Sequence, residues 1–387
     1  MSMQNYSYNR VCIISTVHIA MDNRIFYREA ISLKKAGYQV ALIAIHNQQE
    51  TFQDIEIIPL PRLRRVLRPF LWGKVIRLAL STKASIYQFE DPELLFISPV
   101  IHLLSGRPII YDVLESTADF IEIKDDVPKI IRYFLSWMFR WLEPFLARFQ
   151  SGLLFADAQI AKTFQQVQCP KTTLFNFPEQ SFLENASRAT QNPNPRQSMV
   201  LYLGGLKRAR GTALMLQAFQ QVLGSVPNAQ LFLVGPFAPI SLEDEIRAEI
   251  DRRKMTSSVI ITGAVPFAQV GEYLSQASVG WIPFMPIPKY QKNIPTKLFE
   301  YQAYAVPVVS SDLLSIQPFI QNRKTGLLVK ADDPDAHAGA IIELLNDVSL
   351  ANSIGKNGQT MVFERYNWSE MEKRLISLYQ QLLLRYS

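Results

Sequence analysis

Val11-Cys-Ile-Ile, a helical stretch from Arg24 to Lys35, and Tyr38-Gln-Val-Ala-Leu-Ile-Ala-Ile together decide the fold. The two apolar runs are short and uninterrupted, as expected of strands buried on both faces. Between them Asp22 can cap a helix whose apolar side carries Ile25, Ala30 and Leu33, and Gly37 stops it just past its end. Strand, helix and strand in this order make a βαβ unit, hence a parallel sheet and a Rossmann-like layer. The pattern resumes at Ser85-Ile-Tyr-Gln-Phe and Pro108-Ile-Ile-Tyr-Asp-Val, and each run leads into acids: Glu90-Asp91 after the first, Asp112 and Glu115 at the second. Open parallel sheets bind ligands beyond the carboxyl ends of their strands. Glu90, Asp91, Asp112 and Glu115 are therefore candidate site residues, with His18 the one histidine expected near the cleft.

Further along, Asn185 to Ser198 is rich in Asn, Gln, Pro and Ser and reads as a linker. The α/β pattern then starts again. Met199-Val-Leu-Tyr-Leu is a strand, Gly204-Gly205 a turn, and Gly211 to Gly224 a helix; short strands follow at Ala229, Val259, Val279, Val306 and Gly326. Ser369-x-x-Glu372 is a capping box opening a last helix with Met371, Leu375, Tyr379 and Leu382 on one side. The expected architecture is α/β, with two Rossmann-like domains whose parallel sheets face across a cleft. Residues 1–180 form the first, 181–197 the linker, 198–366 the second, and 367–387 a helix returning to the first.

Composition narrows the functional classes. A chain of 387 residues with 48% hydrophobic and 19% charged residues is an ordinary packed protein. Its net charge of +6 is too mild to argue for nucleic acid, and no nucleic-acid-reading motif accompanies it. Cys12 and Cys169 cannot supply a disulfide framework or a zinc site, and four histidines without ligand spacing exclude a His-rich metal centre. No stretch of about 18 uncharged apolar residues is present, as a bilayer span would need, and Val11–Ser15 is too short for a signal peptide. A cytoplasmic protein is expected.

Asn293-Ile-Pro-Thr-Lys-Leu-Phe-Glu-Tyr carries the most chemistry. Pro295 suits a first helical turn, and Leu298, Tyr301 and Ala305 give an inward face. Backbone N–H groups around Thr296, Lys297 and Leu298 would favour a phosphate, Lys297 would add charge, and Glu300 could accept hydrogen bonds from a ribose diol. An ordinary capped helix with a solvated lysine and glutamate fits the same residues.

This segment resembles the donor-binding motif of glycosyltransferase family 4, the retaining GT-B-fold transferases. Val17-His18…Asp22-x-Arg24-Ile25…Glu29, Phe175-Asn176-Phe177-Pro178, Tyr202-x-Gly204-Gly205…Arg210-Gly211, Phe232-x-Val234-Gly235, Gly263-x-Val265-Pro266 and Tyr366-Asn-Trp368 match that family in order, over nearly the whole chain. The resemblance implies a GT-B hexosyltransferase that moves a sugar from a nucleotide-sugar donor to an acceptor with retention, in surface polysaccharide or glycolipid assembly. It places Gly204, Gly205, Arg210 and Lys297 at the diphosphate and Glu300 on the ribose, with no metal and no cofactor besides the donor. Some positions depart from the family. Lys292 stands eight before Glu300 where many members have glutamate, Gly205 replaces a basic residue, and Glu90 and Leu114 stand where histidines are frequent. Glu90 with Asp91 would then supply the electrostatics for an oxocarbenium-like transition state. The same departures suit a non-catalytic nucleotide-sugar- or partner-binding protein, and an epimerase or hydrolase of nucleotide-sugars is a further alternative.

Partners other than the donor are suggested by a basic stretch, Arg62 to Lys83, with no acid between Glu56 and Glu90 and with Leu63, Val66, Phe70 and Trp72 interleaved. It suggests anionic lipid headgroups and a glycan or lipid-linked acceptor at the inner face of the plasma membrane. Tyr133 to Arg148 is a similar aromatic-basic stretch. A solvated basic helix face and an ordinary core helix are the plainer readings of the two.

Overall fold

The first sheet has eight strands: β1 (Arg10–Ile19), β2 (Gln39–Ile45), β3 (Glu50–Phe52), β4 (Ile55–Leu60), β5 (Ile86–Phe89), β6 (Ile109–Val113), β7 (Gly152–Phe155) and β8 (Lys171–Thr173). Their spatial order is β3-β4-β2-β1-β5-β6-β7-β8, parallel throughout except for the β3–β4 hairpin. The structure is a computed structural model describing residues 10–122, 128–191 and 197–386. Leu42, Ile13, Ile86, Ile110 and Leu154 are fully buried in the adjacent strands β2, β1, β5, β6 and β7, as a doubly covered parallel sheet requires. Sequence reasoning finds β1, β2, β5 and β6 but not β3, β4, β7 or β8.

The second sheet comprises β9 (Met199–Leu203), β10 (Gln230–Val234), β11 (Val259–Gly263), β12 (Val279–Ile282), β13 (Val308–Ser311) and β14 (Leu327–Val329). Its order is β11-β10-β9-β12-β13-β14, and every pair is parallel. Counted within the unit this is the 3-2-1-4-5-6 order of dinucleotide-binding folds, whose ligands sit where the strand order reverses. That point lies between β9 and β12. In the first sheet the reversal lies between β1 and β5.

Two compact units result: the chain up to Asn176 together with Trp368 onward, and Phe177–Asn367. The stretch read as a linker differs in structure. Gln180–Gln191 is a helix with Phe182, Leu183 and Ala186 buried, because these apolar residues share one helical face among many polar ones. Residues 192–196 lie outside the described residues. The closing helix runs Trp368–Tyr386 and so begins before Ser369, leaving the expected capping serine inside its first turn. Its inward face is as read from the sequence, with Met371, Leu375, Tyr379 and Leu382 buried, and Trp368 Nε1 donates to Ser32 Oγ at 2.9 Å. Asp22 stands two residues ahead of the Arg24 N-cap position of the first helix rather than at it, and accepts from the Arg24 and Ile25 amides at 2.7 and 3.2 Å. That helix opens with a widened π-type segment, Ile25–Ala30, before Ile31–Lys35.

Candidate active site

At the reversal point of the first sheet, the ends of β1 and β5 bring polar groups together over 75 residues of sequence. Asp91 is buried and accepts from the Thr16 amide at 2.5 Å, the Thr16 hydroxyl at 3.0 Å and the Ser15 hydroxyl at 3.1 Å. Burial nevertheless holds its carboxyl above the usual carboxylate range. The Thr16 hydroxyl also lies 2.6 Å from Glu93 Oε1. Thr16→Val should therefore destabilise the chain by about 1–2 kcal/mol, measured by denaturant unfolding.

Beside Asp91 is a second group of acids. Glu29, Glu90 and Asp112 are buried, and one oxygen of each lies within 4.8 Å of the others. Arg24 serves two of them. Its Nε and Nη2 donate to Asp112 at 2.9 and 3.0 Å, Nε lies 3.0 Å from Glu29 Oε1, and Nη1 donates to the Leu174 carbonyl and to Asn176 Oδ1, both at 2.9 Å. A metal could draw on these three carboxylates, but the guanidinium already stands as counter-ion to Glu29 and Asp112. Gln88 donates to Glu29 at 2.5 Å and accepts from the Tyr379 hydroxyl at 2.5 Å, which ties the cluster to the closing helix.

Glu90 is held differently. Its side chain is fully buried, neither carboxyl oxygen has a hydrogen-bond partner among the described residues, and His18 Nε2 stands 3.8 Å away. Burial, and then the charges of Glu29 and Asp112, push its carboxyl well above the usual range. The imidazole of His18 is raised by Asp22, 3.6 Å from Nδ1, against the effect of burial. Of the residues predicted from sequence, the structure thus gathers His18, Glu90, Asp91 and Asp112. Asp112 is occupied by Arg24 rather than open to an acceptor, and Glu115 is exposed on the loop after β6.

The second unit builds its own constellation at the β9–β12 reversal. Gly204 follows β9 with φ +103°, and a Cβ there would meet Lys297 Nζ at 3.3 Å and Arg210 Nη1 at 3.7 Å. Gly235, at the end of β10, has φ +148°, and a Cβ on it would come within 2.3 Å of the Gly204 carbonyl. Glycine is required at both positions for the two loops to approach. Arg210 donates from Nη1 to the Gly205 carbonyl at 2.8 Å and from Nε to Tyr290 at 3.3 Å. Lys297 is 6% exposed, and its ammonium donates to no acceptor among the described residues. It lies 3.8 Å over the Tyr202 ring and 5.1 Å from that of Phe284. Burial, reinforced by the Arg210 charge, drops its pKa well below the ordinary lysine value.

Tyr301 fixes the helix that carries Lys297 and Glu300. Its hydroxyl accepts from the Leu203 amide and donates to the Leu201 carbonyl, both at 2.9 Å. Thr296 is exposed and Glu300 half-buried in the first turn of this Lys297–Ala303 helix. The Leu298 amide, expected to face a phosphate, donates instead to the Pro295 carbonyl at 3.1 Å, because the chain turns tightly at the helix start. Sequence reasoning missed Arg24 and Glu29 as parts of an ion cluster, the Ser15 and Thr16 donors, and the aromatic wall of Phe284 and Tyr290.

The chain is similar to known glycosyltransferases. Residues 197–347 match the family described as "Glycosyl transferases group 1". A phosphatidyl-myo-inositol mannosyltransferase of Mycobacterium tuberculosis is 27% identical over 202 residues, 50% of each chain. The capsular polysaccharide biosynthesis glycosyltransferase CapM of Staphylococcus aureus is 25% identical over 183 residues, 47% of this chain and 46% of its own. The chain spans about half the length of the curated relatives it matches. Among solved structures, sucrose-phosphate synthase from Thermosynechococcus elongatus aligns with a TM-score of 0.75 at 18% identity, covering 97% of this chain and all of that one. Anabaena HepE in complex with UDP and glucose aligns with a TM-score of 0.73 at 13% identity, with 97% and 100% covered. The fold is GT-B.

Proposed function

We propose that this chain, whose residues 197–347 match the group 1 glycosyl transferases, moves a sugar from a nucleotide-sugar to an acceptor. The observation that carries the proposal is the buried Lys297 ammonium, with no hydrogen-bond acceptor among the described residues, beside Arg210 and the Gly204-Gly205 turn. A diphosphate would give that ammonium its missing acceptors, and Arg210 would share its charge. The leaving diphosphate is neutralised by these two side chains, with no metal required. Glu300, one turn into the helix, would accept from the ribose hydroxyls. In the first unit, Glu90 would act as the carboxylate facing positive charge on the sugar as its bond to phosphate breaks, with retention at the anomeric carbon. Asp91, locked by Thr16 and Ser15, holds the Glu90 loop in place.

The acceptor is a glycan or lipid-linked molecule at a membrane surface. The names of the mannosyltransferase and CapM relatives support this, as do the exposed cations Arg62, Arg64, Arg65, Lys74 and Arg77. Calorimetric titration with UDP-, GDP-, ADP- and dTDP-sugars tests the donor site, UDP-glucose first. One of them should bind, and Glu300→Ala should weaken it by about tenfold. Unchanged affinity in that variant would overturn the ribose assignment.

A further inference from the structure

The Lys129–Ala147 helix of the first unit turns the usual amphipathic arrangement inside out. Its buried residues are Arg132, Ser136, Glu143 and Ala147, three of them polar. Glu143 is bonded to the Tyr111 hydroxyl at 2.7 Å and Ser136 to Glu122 at 2.6 Å. The opposite face presents Ile130, Phe134, Trp137, Trp141 and Phe145 to solvent, spaced four, three, four and four apart. Trp141 is 70% exposed and Ile130 85%. A contiguous exposed apolar face of this kind marks a site that a partner or a membrane covers.

Charge and residue type identify the cover. The helix's one acid is Glu143, which is buried, while Lys129 and Arg140 are exposed along its length and Arg148 just beyond. Two tryptophans among cations suit the boundary between headgroups and acyl chains. The face also continues into the basic stretch. The helix packs against the turn at Pro92–Phe96, where Phe96 stacks on Trp72 at 5.9 Å and Glu93 pairs with Arg68 at 3.4 Å. Val66 and Phe70, exposed among Arg64, Arg65 and Arg68, extend the apolar surface there. A second copy of the chain would bring these cations against each other. Among the described residues no helix is long and apolar enough to cross a membrane.

We infer that the aromatic face of the Lys129–Ala147 helix inserts into the interface of an anionic bilayer, with the Arg62–Arg77 cations seated on the headgroups. This deepens the membrane-surface part of the proposed function and does not depend on sugar transfer.

The test uses the full chain and vesicles of phosphatidylcholine and phosphatidylglycerol in equal parts, some carrying brominated acyl chains. Binding with quenching of tryptophan fluorescence is expected, and Trp137→Ser with Trp141→Ser should weaken binding at least about tenfold and abolish the quenching. Replacing Arg64 and Arg65 with Glu should weaken binding at low salt and matter less at high salt. Far-ultraviolet circular dichroism and an unchanged melting temperature certify the folded state of each variant. Full binding by the tryptophan variant would overturn the inference. So would a dimer, seen by light scattering, that the same variant dissociates. Donor titration on these variants should match that of the parent chain, so failure here is distinguishable from failure of the donor site.

Discussion

Replacing Lys297 with methionine should weaken donor binding by ten- to a hundredfold, about 1.5–3 kcal/mol, while stabilising the unliganded chain by about 1–3 kcal/mol. The two effects have opposite signs because they share one cause. A buried ammonium with no acceptor destabilises the fold, and methionine of similar length fills the space over Tyr202 and Phe284 without the charge. The same ammonium is what a diphosphate would recognise. The lowered pKa adds a second readout. Above its folded value Lys297 is neutral in the native chain but protonated when unfolded, so stability rises with pH up to the ordinary lysine range. A bound diphosphate draws the proton back. Donor binding should therefore take up a proton and weaken as pH rises through the folded value. Titration in two buffers of different ionisation heat measures that uptake, which Lys297→Met should abolish. An unchanged affinity would remove the diphosphate from this site.

Most of this site was legible in the sequence because its parts are local. Gly204-Gly205 follows an apolar run directly, and Lys297 and Glu300 lie in one turn of one helix. What spacing could not show is that Lys297 is buried among Tyr202 and Phe284, which arrive on β9 and after β12. The first unit was less legible for the same reason. Arg24 meets Asp112 across 88 residues and Thr16 meets Asp91 across 75, contacts made by strand order rather than by any local pattern. Asp112 and Glu115 look alike in the chain, yet one ends a buried strand and the other projects from a loop. The helix at Gln180–Gln191 was hidden by polar composition, since three buried apolar residues suffice to dock it. In the Lys129–Ala147 helix the sequence shows the aromatic residues but not that they point outward. Its inward polar residues find partners from Tyr111 and Glu122 that no periodicity encodes.

Glu90→Gln should lower turnover by about a hundredfold or more and leave donor affinity where it was, since the groups argued to bind the donor all lie in the second unit. Glutamine keeps the shape and the hydrogen-bonding capacity but cannot carry negative charge toward an oxocarbenium-like centre. The pH dependence follows from the raised carboxyl. Glu90 holds its proton in the folded chain at pH values where the unfolded chain has released it, so its burial destabilises the fold increasingly as pH rises through that interval. The proposed role needs the ionised form, so turnover should rise over the same interval, along an acidic limb that Glu90 shares with Glu29 beside it. In Glu90→Gln that limb should vanish, and the variant should be the more stable protein at high pH and equal to its parent below the ordinary carboxylate range. Thermal unfolding and kcat across pH measure both. A variant that turns over like its parent would remove Glu90 from the chemistry and leave the second unit as a nucleotide-sugar site whose reaction depends on other groups. A variant that loses turnover while gaining stability would show that the chain keeps a buried, poorly satisfied acid for what it does to the sugar.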